Sequence, residues 1–258
     1  MTGREDYVQI EGNVSLAHTA VLEPFDATGV AHPIRIAAGC RVGSGAILYG
    51  GTVLGEGVVV EDYAIVGKPE FGYAIGERYL GTAESCVIGA GTIIRAGAHV
   101  YSGAELGPIV HVGHYTVLRS GVKIGEGTQL AHHICIERGC SLGRNVRSSP
   151  HTHLTGKTIA HDRVFFGAAV KTVNDRSMIW RAQTTPVLKP PRFDTGAAIG
   201  SGSTIAAGVR IGEWALIGSH SLVLQDVPAG SIAYGVPAIL KGRRLHPDDL
   251  AYIRSDSE

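Results

Sequence analysis

The chain has 258 residues, 44% of them hydrophobic, which is enough to bury the core of one large domain or of two small ones. Its 23 basic and 23 acidic residues cancel and neither sign forms a run, which argues against nucleic acid or a membrane surface as a partner. The opening MTGREDYVQIEGN does not resemble a secretion signal, and no apolar stretch approaches the about 20 residues that span a bilayer, so we expect a cytoplasmic protein.

Glycine and cysteine usage both constrain the fold. The 36 glycines are about twice the usual share, which indicates an architecture with many tight corners. The four cysteines form no CxxC pair, so we expect free thiols rather than disulfides or metal ligands. Cys40, Cys86 and Cys140 fall on small inward positions of the repeat described next.

The first half of the chain repeats with a period of six. A short aliphatic series occupies Ile10, Leu16 and Leu22, and a longer one follows at Val30, Ile36, Val42, Leu48, Leu54, Val60 and Val66. Four residues after most of these positions comes a small or branched residue. A strict period of six fits neither an α-helix nor a long alternating strand, but it does fit short strands that meet at turns, three to a coil of eighteen residues.

Two further blocks continue the period, from Ile88 to Thr172 and from Ile199 to Val223. The pattern therefore predicts an all-β fold, a parallel β-helix in which residues eighteen apart lie one above another, about 4.8 Å apart. The blocks are out of phase with one another, which places loop excursions at residues 68–85 and 174–195. We assign residues 1–245 to the β-helix and 246–258, which begin with a proline near the first turn, to a helical cap.

The hexads resemble the hexapeptide-repeat acyltransferase superfamily, which implies a left-handed coil. The stretch from Val164 to Arg244, with KTVNDRSMIW and then TGAAIGSGSTIAAGVRIGEWALIGSHSLVLQDVPAGSIAYGVPA, looks like the N-acetyltransferases that modify amino groups of nucleotide-linked sugars. The resemblance implies acetyl-CoA as the acyl donor and a homotrimer that binds it in a groove between subunits. Closed cyclic assemblies of flat β-helix faces are physically reasonable.

Seven of the twelve histidines lie between residues 111 and 161. Acetyl transfer to an amine requires removal of a proton and a hydrogen-bond donor for the developing oxyanion, and histidine suits proton removal near neutral pH. We propose His151 first and His153 second as catalytic residues. The resemblance places His151 where the amino-sugar enzymes carry an asparagine, and there the CoA thiolate itself can accept the proton. The histidines could instead form a polar ladder or a subunit contact.

Two loops carry the candidate substrate-binding residues. By resemblance, Asn174 and Asp175 open the second excursion near the substrate amine, although they could simply form a turn. Tyr73 and Arg78 on the first excursion offer an aromatic ring and a guanidinium for a nucleotide, or a clasp for a neighbouring subunit.

The later coils carry the candidate cofactor-binding residues. Ala207 and Ser219 lie on turns whose backbone could hold the pantetheine arm, and Lys241 and Arg244 could meet the CoA phosphates or form a solvated basic tail. The histidine spacing does not match the zinc sites of gamma-class carbonic anhydrases, so we expect no metal.

The sequence thus favours an acetyl-CoA-dependent N-acetyltransferase acting on a nucleotide-linked amino sugar by direct transfer in a ternary complex. One alternative is an O- or N-acyltransferase for a non-nucleotide small molecule, such as an antibiotic intermediate. Another is a non-catalytic β-helix that serves as an assembly platform.

Overall fold

The computed structural model describes residues 4–74, 77–177 and 187–244, which form a three-sided prism of short parallel strands after a 3-10 turn at Arg4–Tyr7. Face A contains β1 (Val8–Ile10), β4 (Ile34–Ile36), β7 (Thr52–Leu54), β12 (Cys86–Ile88), β15 (Glu105–Leu106), β18 (Lys123–Ile124), β21 (Ser141–Leu142), β24 (Ile159–Ala160), β27 (Arg192–Phe193) and β30 (Arg210–Ile211). Face B contains β2 (Ser15–Leu16), β5 (Arg41–Val42), β8 (Val59–Val60), β13 (Ile93–Ile94), β16 (His111–Val112), β19 (Gln129–Leu130), β22 (Arg147–Ser148), β25 (Phe165–Phe166), β28 (Ala198–Ile199), β31 (Leu216–Ile217), β33 (Ser231–Gly235) and β34 (Ala238–Arg243). Face C contains β3 (Val21–Glu23), β6 (Ile47–Tyr49), β9 (Ile65–Lys68), β14 (His99–Tyr101), β17 (Val117–Leu118), β20 (Cys135–Ile136), β23 (His153–Leu154), β26 (Lys171–Thr172), β29 (Thr204–Ile205) and β32 (Leu222–Val223).

Strands stack in the register that the period of six predicts. On face C, Val117 pairs with Cys135 and Cys135 with His153, and each step is eighteen residues along the chain. The parallel β-helix is therefore confirmed. The chain passes from face A to B to C and back to A, so the three edges of the prism are called the AB, BC and CA corners.

The inward positions explain both halves of the hexad code. Aliphatic side chains such as Ile94, Leu118 and Ile136 are fully buried along the axis. The small position is often a threonine that bonds the backbone of adjacent coils. The hydroxyl of Thr116 donates to Ala131 O at 2.8 Å and accepts from the N–H of Ile134. A buried polar atom is thereby satisfied in each such coil.

Three of the four cysteines occupy the same small inward position, as predicted. Cys40, Cys86 and Cys140 are buried free thiols. Loss of hydration on burial raises the pKa of Cys86 and of Cys140 to about 12 and also raises that of Cys40, so none of these thiols ionises readily.

The BC corner turns through the left-handed backbone region at one residue per coil. Tyr115, His133 and His151 have φ between 55° and 61° there. Gly97 occupies the same position one coil earlier, and a Cβ added to it would lie 2.6 Å from the Tyr115 ring. At Gly97 the Tyr115 ring therefore occupies the space that a side chain would need, and glycine also adopts the positive φ without strain.

Three insertions leave the prism at the CA corner, one more than the sequence indicated. The first comprises residues 24–33, between β3 and β4. Because of it, the paired residues Val8 and Ile34 are 26 apart in the sequence instead of 18. The expectation that Val30 faces the core is wrong, since it is 54% exposed. The cause is Asp26, whose Oδ1 accepts from the N–H groups of Thr28 and Val30 and folds the segment into a turn.

The other two insertions lie within the predicted excursions. Residues 68–85 contain an antiparallel hairpin of β10 (Phe71–Ala74) and β11 (Glu77–Leu80). The second excursion ends earlier than the predicted residue 195, because β27 rejoins face A at Arg192. Phe193 takes the inward aliphatic position there, buried edge-to-face against Phe166 with ring centroids 4.9 Å apart. This hexad has phenylalanine instead of an aliphatic residue at its inward position, so the sequence pattern did not identify it as part of the repeat.

The described chain ends in an antiparallel pair, β33 and β34, that extends face B. The predicted helical cap at 246–258 lies outside the described residues. Within the described ranges, no helix is long and apolar enough to cross a bilayer.

Candidate functional site

A histidine and a glutamate meet on the outer side of face C. His153 Nε2 lies 3.1 Å from Glu137 Oε1. His153 is the outward residue of β23, and Glu137 follows β20 one coil below, so the pair is formed across two stacked strands. Hydrogen bonding to Cys135 and then to Glu137 raises the pKa of His153 to about 10. The hydrogen bond between the two side chains likewise lowers the pKa of Glu137. At neutral pH we therefore expect a charged pair.

Glu137 also connects this pair to the opening of the second excursion. Its Oε2 accepts from the N–H of Gly156 at 3.0 Å. The carbonyl of Gly156 accepts in turn from Asn174 Nδ2 at 3.1 Å. The amide of Asn174 is thus held by the backbone beside His153, and two residues that the sequence singled out for separate roles lie in one hydrogen-bonded network.

The hairpin of the first excursion is attached to the same corner through a buried carboxylate. Glu70 is only 6% exposed and pairs with two guanidinium groups, those of Arg119 at 2.8 Å and Arg138. The guanidinium carbon of Arg138 lies 3.3 Å from the centroid of the Tyr79 ring on β11. A buried carboxylate bound by two cations in this way fixes the hairpin against the prism.

These contacts form two networks that lie together at the CA corner, where the positive charge of Arg119 acts on Glu137. We call the two networks together the CA-corner cluster. Both predicted excursions contribute to it, and His153 is part of it. Its members are Glu70, Tyr79, Arg119, Glu137, Arg138, His153 and Asn174.

His151 lies two residues away, but at the BC corner rather than on face C. Its exposed ring stacks on His133, with centroids 5.3 Å apart, and His133 stacks on Tyr115 at the same distance, so the predicted column is confirmed. Within the described ranges, no carboxylate lies within ion-pair distance of the His151 ring. A shallow depression of about 320 Å³ on face B reaches the adjacent Pro150.

The remaining candidate substrate-binding residues lie outside the CA-corner cluster. Asp175 Oδ1 accepts from Ser177 N at 2.7 Å and from its hydroxyl, so it shapes the start of the loop. Tyr73 pairs with Arg78 across the hairpin through the backbone, and the Arg78 side chain is exposed.

The four cofactor candidates do not converge within the chain. Ala207 is buried near the CA corner, and its carbonyl accepts two bonds from Arg176 at 3.0 and 2.8 Å. Ser219 lies exposed at the BC corner, and Lys241 is exposed on β34 with its ammonium 5.3 Å from the Tyr234 ring.

Arg244 extends instead toward the AB corner. It donates to the carbonyl of Gly196 at 3.2 Å, and burial lowers its pKa. Of the two basic candidates, Lys241 is thus the more exposed. Among the described residues, no cluster of three or more His, Cys, Asp or Glu could hold a metal ion.

Sequence reasoning missed most of the partners in the cluster. Residues eighteen apart stack, so Cys135 lies beneath His153, and Glu137 is two positions after Cys135. The eighteen-residue spacing could therefore have placed Glu137 near His153. Glu70 had no such signal, because its partners Arg119 and Arg138 lie 49 and 68 residues away. Cys135, the outward neighbour of His153, was not singled out either.

Comparison with known proteins places this geometry in context. No family model matches the chain. The bifunctional protein GlmU of Shouchella clausii is 26% identical over 226 residues, which cover 86% of this chain and 42% of that protein. The chain therefore spans less than half the length of this curated relative. The dTDP-3-amino-3,6-dideoxy-alpha-D-galactopyranose 3-N-acetyltransferase of Aneurinibacillus thermoaerophilus is 51% identical over 47 residues, 18% of this chain and 24% of that one.

The fold is shared with a solved structure. The UDP-N-acetylglucosamine O-acyltransferase LpxA of Moraxella catarrhalis superposes with a TM-score of 0.54 over 96% of this chain and 80% of that one, at 14% identity. The chain thus has the left-handed β-helix fold of the hexapeptide-repeat acyltransferases. Over its 47-residue stretch, the Aneurinibacillus relative agrees with the expected resemblance to N-acetyltransferases of nucleotide-linked amino sugars.

Proposed function

We propose that this chain is an acetyltransferase that transfers an acetyl group from acetyl-CoA to an amino group of a nucleotide-linked amino sugar, by direct attack of the amine in a ternary complex. The observation that carries the proposal is the CA-corner cluster, in which both excursions are bonded to the corner that holds His153. The relative that acetylates a dTDP-linked amino sugar supports the substrate class.

In this proposal the two histidines have different roles. His153 carries a proton at neutral pH because Cys135 and Glu137 raise its pKa, so it donates a hydrogen bond to the oxyanion that forms on the thioester carbonyl. His151 has an exposed ring without a described carboxylate partner and accepts the proton of the attacking amine. Asn174 and Asp175 orient the amine.

We propose further that Tyr73 and Arg78 on the hairpin bind the nucleotide and that Ala207, Ser219, Lys241 and Arg244 contact CoA. Because the CoA candidates are spread over three corners, we place the cofactor in a groove completed by a second copy, in a cytoplasmic homotrimer. Residues 1–245 form the β-helix in this proposal and residues 246–258 its cap. Light scattering on the purified protein tests the trimer.

The direct test is a thiol-release assay with acetyl-CoA and a panel of acceptors: nucleotide-linked 3-amino and 4-amino sugars, free amino sugars, simple amines and hydroxyl analogues. Turnover on nucleotide-linked amines alone supports the proposal. Turnover only on the other acceptors retains an acyltransferase and rejects the nucleotide sugar. Failure to bind CoA by calorimetry, with the folded protein present, supports an assembly platform and overturns the proposal.

The base is tested separately by His151→Ala. We expect turnover to fall roughly a hundredfold, the usual range for loss of a general base, with CoA affinity retained. His111→Ala, a change of the same residue type on face B, serves as the control. Unchanged turnover in His151→Ala would reject His151 as the base and favour the CoA thiolate as the proton acceptor.

A further inference from the structure

Cys135 differs from the other three cysteines in both direction and surroundings. It is the outward residue of β20, half-buried on face C, whereas Cys40, Cys86 and Cys140 face the core. Burial raises the pKa of those three thiols, so they remain protonated. Among the four cysteines of the chain, Cys135 is therefore the one that solvent can reach and that has a basic group beside it.

A histidine and a glutamate lie in series beside Cys135. Cys135 pairs in register with His153 on the adjacent coil, so their outward side chains lie side by side on face C. The far partner of His153 is Glu137, at 3.1 Å. Glu137 is itself held by the N–H of Gly156. A thiol, an imidazole and a carboxylate thus follow one another, with the carboxylate fixed by the backbone.

We propose that Cys135, His153 and Glu137 form a reactive thiol site that undergoes thiol–disulfide exchange with small anionic disulfides. The His153 imidazolium, held by Glu137, lies beside the Cys135 sulfur and stabilises the thiolate that forms when the thiol loses its proton to solvent. The thiolate attacks one sulfur of the disulfide, whose S–S bond breaks. The departing sulfur leaves with the electron pair as a thiolate and takes up a proton, and Cys135 remains in a mixed disulfide.

The surrounding charges favour an anionic disulfide. His153 and then Lys171 continue the same outward column of face C, one and two coils beyond Cys135. Arg119 lies on the other side, bound by Glu70. Against these cations stands Glu137, whose charge is offset by His153.

The mixed disulfide has no internal thiol to resolve it. The other three cysteines point into the core from their own coils, so the adduct persists until an external reductant removes it. Thiol exchange at this site requires neither acetyl-CoA nor an acceptor, and its test is therefore independent of the proposed function.

The experiment treats the full-length folded protein with glutathione disulfide at pH 6 to 9 and locates the adducts by peptide mass mapping. We expect one glutathione per chain, on Cys135, formed at least tenfold faster than on any other cysteine and reversed by dithiothreitol. Cystamine, a cationic disulfide, should react more slowly. Cys135→Ser should abolish the fast adduct.

The effect of His153 on the Cys135 thiol is tested by His153→Gln, with His111→Gln on face B as the matched control. His153→Gln should slow the exchange at least tenfold at pH 6 and restore the steep rise with pH of an ordinary thiol, while the control keeps the native rate. The proposal is overturned if Cys135 reacts no faster than the buried cysteines, or if His153→Gln leaves both the rate and its pH profile unchanged.

Discussion

His153 shows how one residue acquires its properties from two others that are remote in the sequence. An isolated imidazole titrates near pH 6.5, but here Cys135 and Glu137 interact with the ring and raise its pKa. The dense run of histidines indicated that this region handles protons. It did not indicate which histidine has a carboxylate partner, because that depends on the stacking of coils.

The effect of Glu137 on His153 can be measured directly. In Glu137→Gln the carboxylate that stabilises the imidazolium is gone, so the pKa of His153 should fall toward its ordinary value of about 6.5. NMR titration of the His153 Cε1 proton measures this change. Glu126→Gln, at an exposed site, should leave the His153 titration as it is in the native protein. An unchanged His153 titration in Glu137→Gln would contradict the assigned pair.

The pair also gives stability a defined pH dependence. Since the folded-state pKa of His153 is raised, its contribution is fully present below the unfolded value of about 6.5 and is lost as the pH rises toward the folded value. The Glu137→Gln variant should therefore lose more stability relative to the native protein at pH 6 than at pH 10. Denaturant unfolding at the two pH values measures the difference.

At the scale of elements, the sequence predicted some of the insertions at the CA corner and missed another. The phase break after Val66 predicted an excursion at 68–85, and the structure contains a hairpin there. The insertion at 24–33 went unnoticed, because Val30 happened to continue the period. Only the turn around Asp26, whose carboxylate also accepts from the N–H of Ala83 in the neighbouring excursion, reveals that the segment leaves the prism.

The hairpin is expected to depend on Glu70. In Glu70→Gln the two guanidinium groups lose their shared carboxylate, and the hairpin should detach while the prism stays folded. Limited trypsin digestion should then cleave after Arg78 at least several times faster than in the native protein, with an unchanged circular dichroism spectrum. Glu105→Gln is the control, because its carboxylate and the partner Lys123 are both more than half exposed. Equal cleavage rates in native protein and Glu70→Gln would contradict the assigned attachment.

At the scale of the whole molecule, stability is a sum over stacked coils, each of which contacts only its neighbours. One junction at which the stack must be resumed is the return of the chain after the second excursion, where 33 residues instead of 18 separate Ile159 from its partner Arg192. Phe193 and Phe166 fill the axis there.

This junction can be tested with a matched pair of substitutions. Phe193→Ala leaves a cavity on the axis and should lower the free energy of unfolding by about 3–5 kcal/mol. Phe165→Ala removes the same ring from the outer surface of face B, where it is 40% exposed, and should cost under about 1 kcal/mol. Guanidinium unfolding of both variants measures the difference. Similar losses in the two would show that Phe193 does not support the axis.

The sequence by itself determined the fold, because a period of six is a local property that each coil repeats. It determined the inward positions of Cys86 and Cys140, the stacking of His133 on His151 and the places in the chain where two excursions leave the repeat. The tertiary structure alone decided which of these residues meet. Glu70 reaches Arg138 across 68 residues, and Glu137 pairs with His153 rather than His151, because the contacts depend on how far the insertions fold back over the prism.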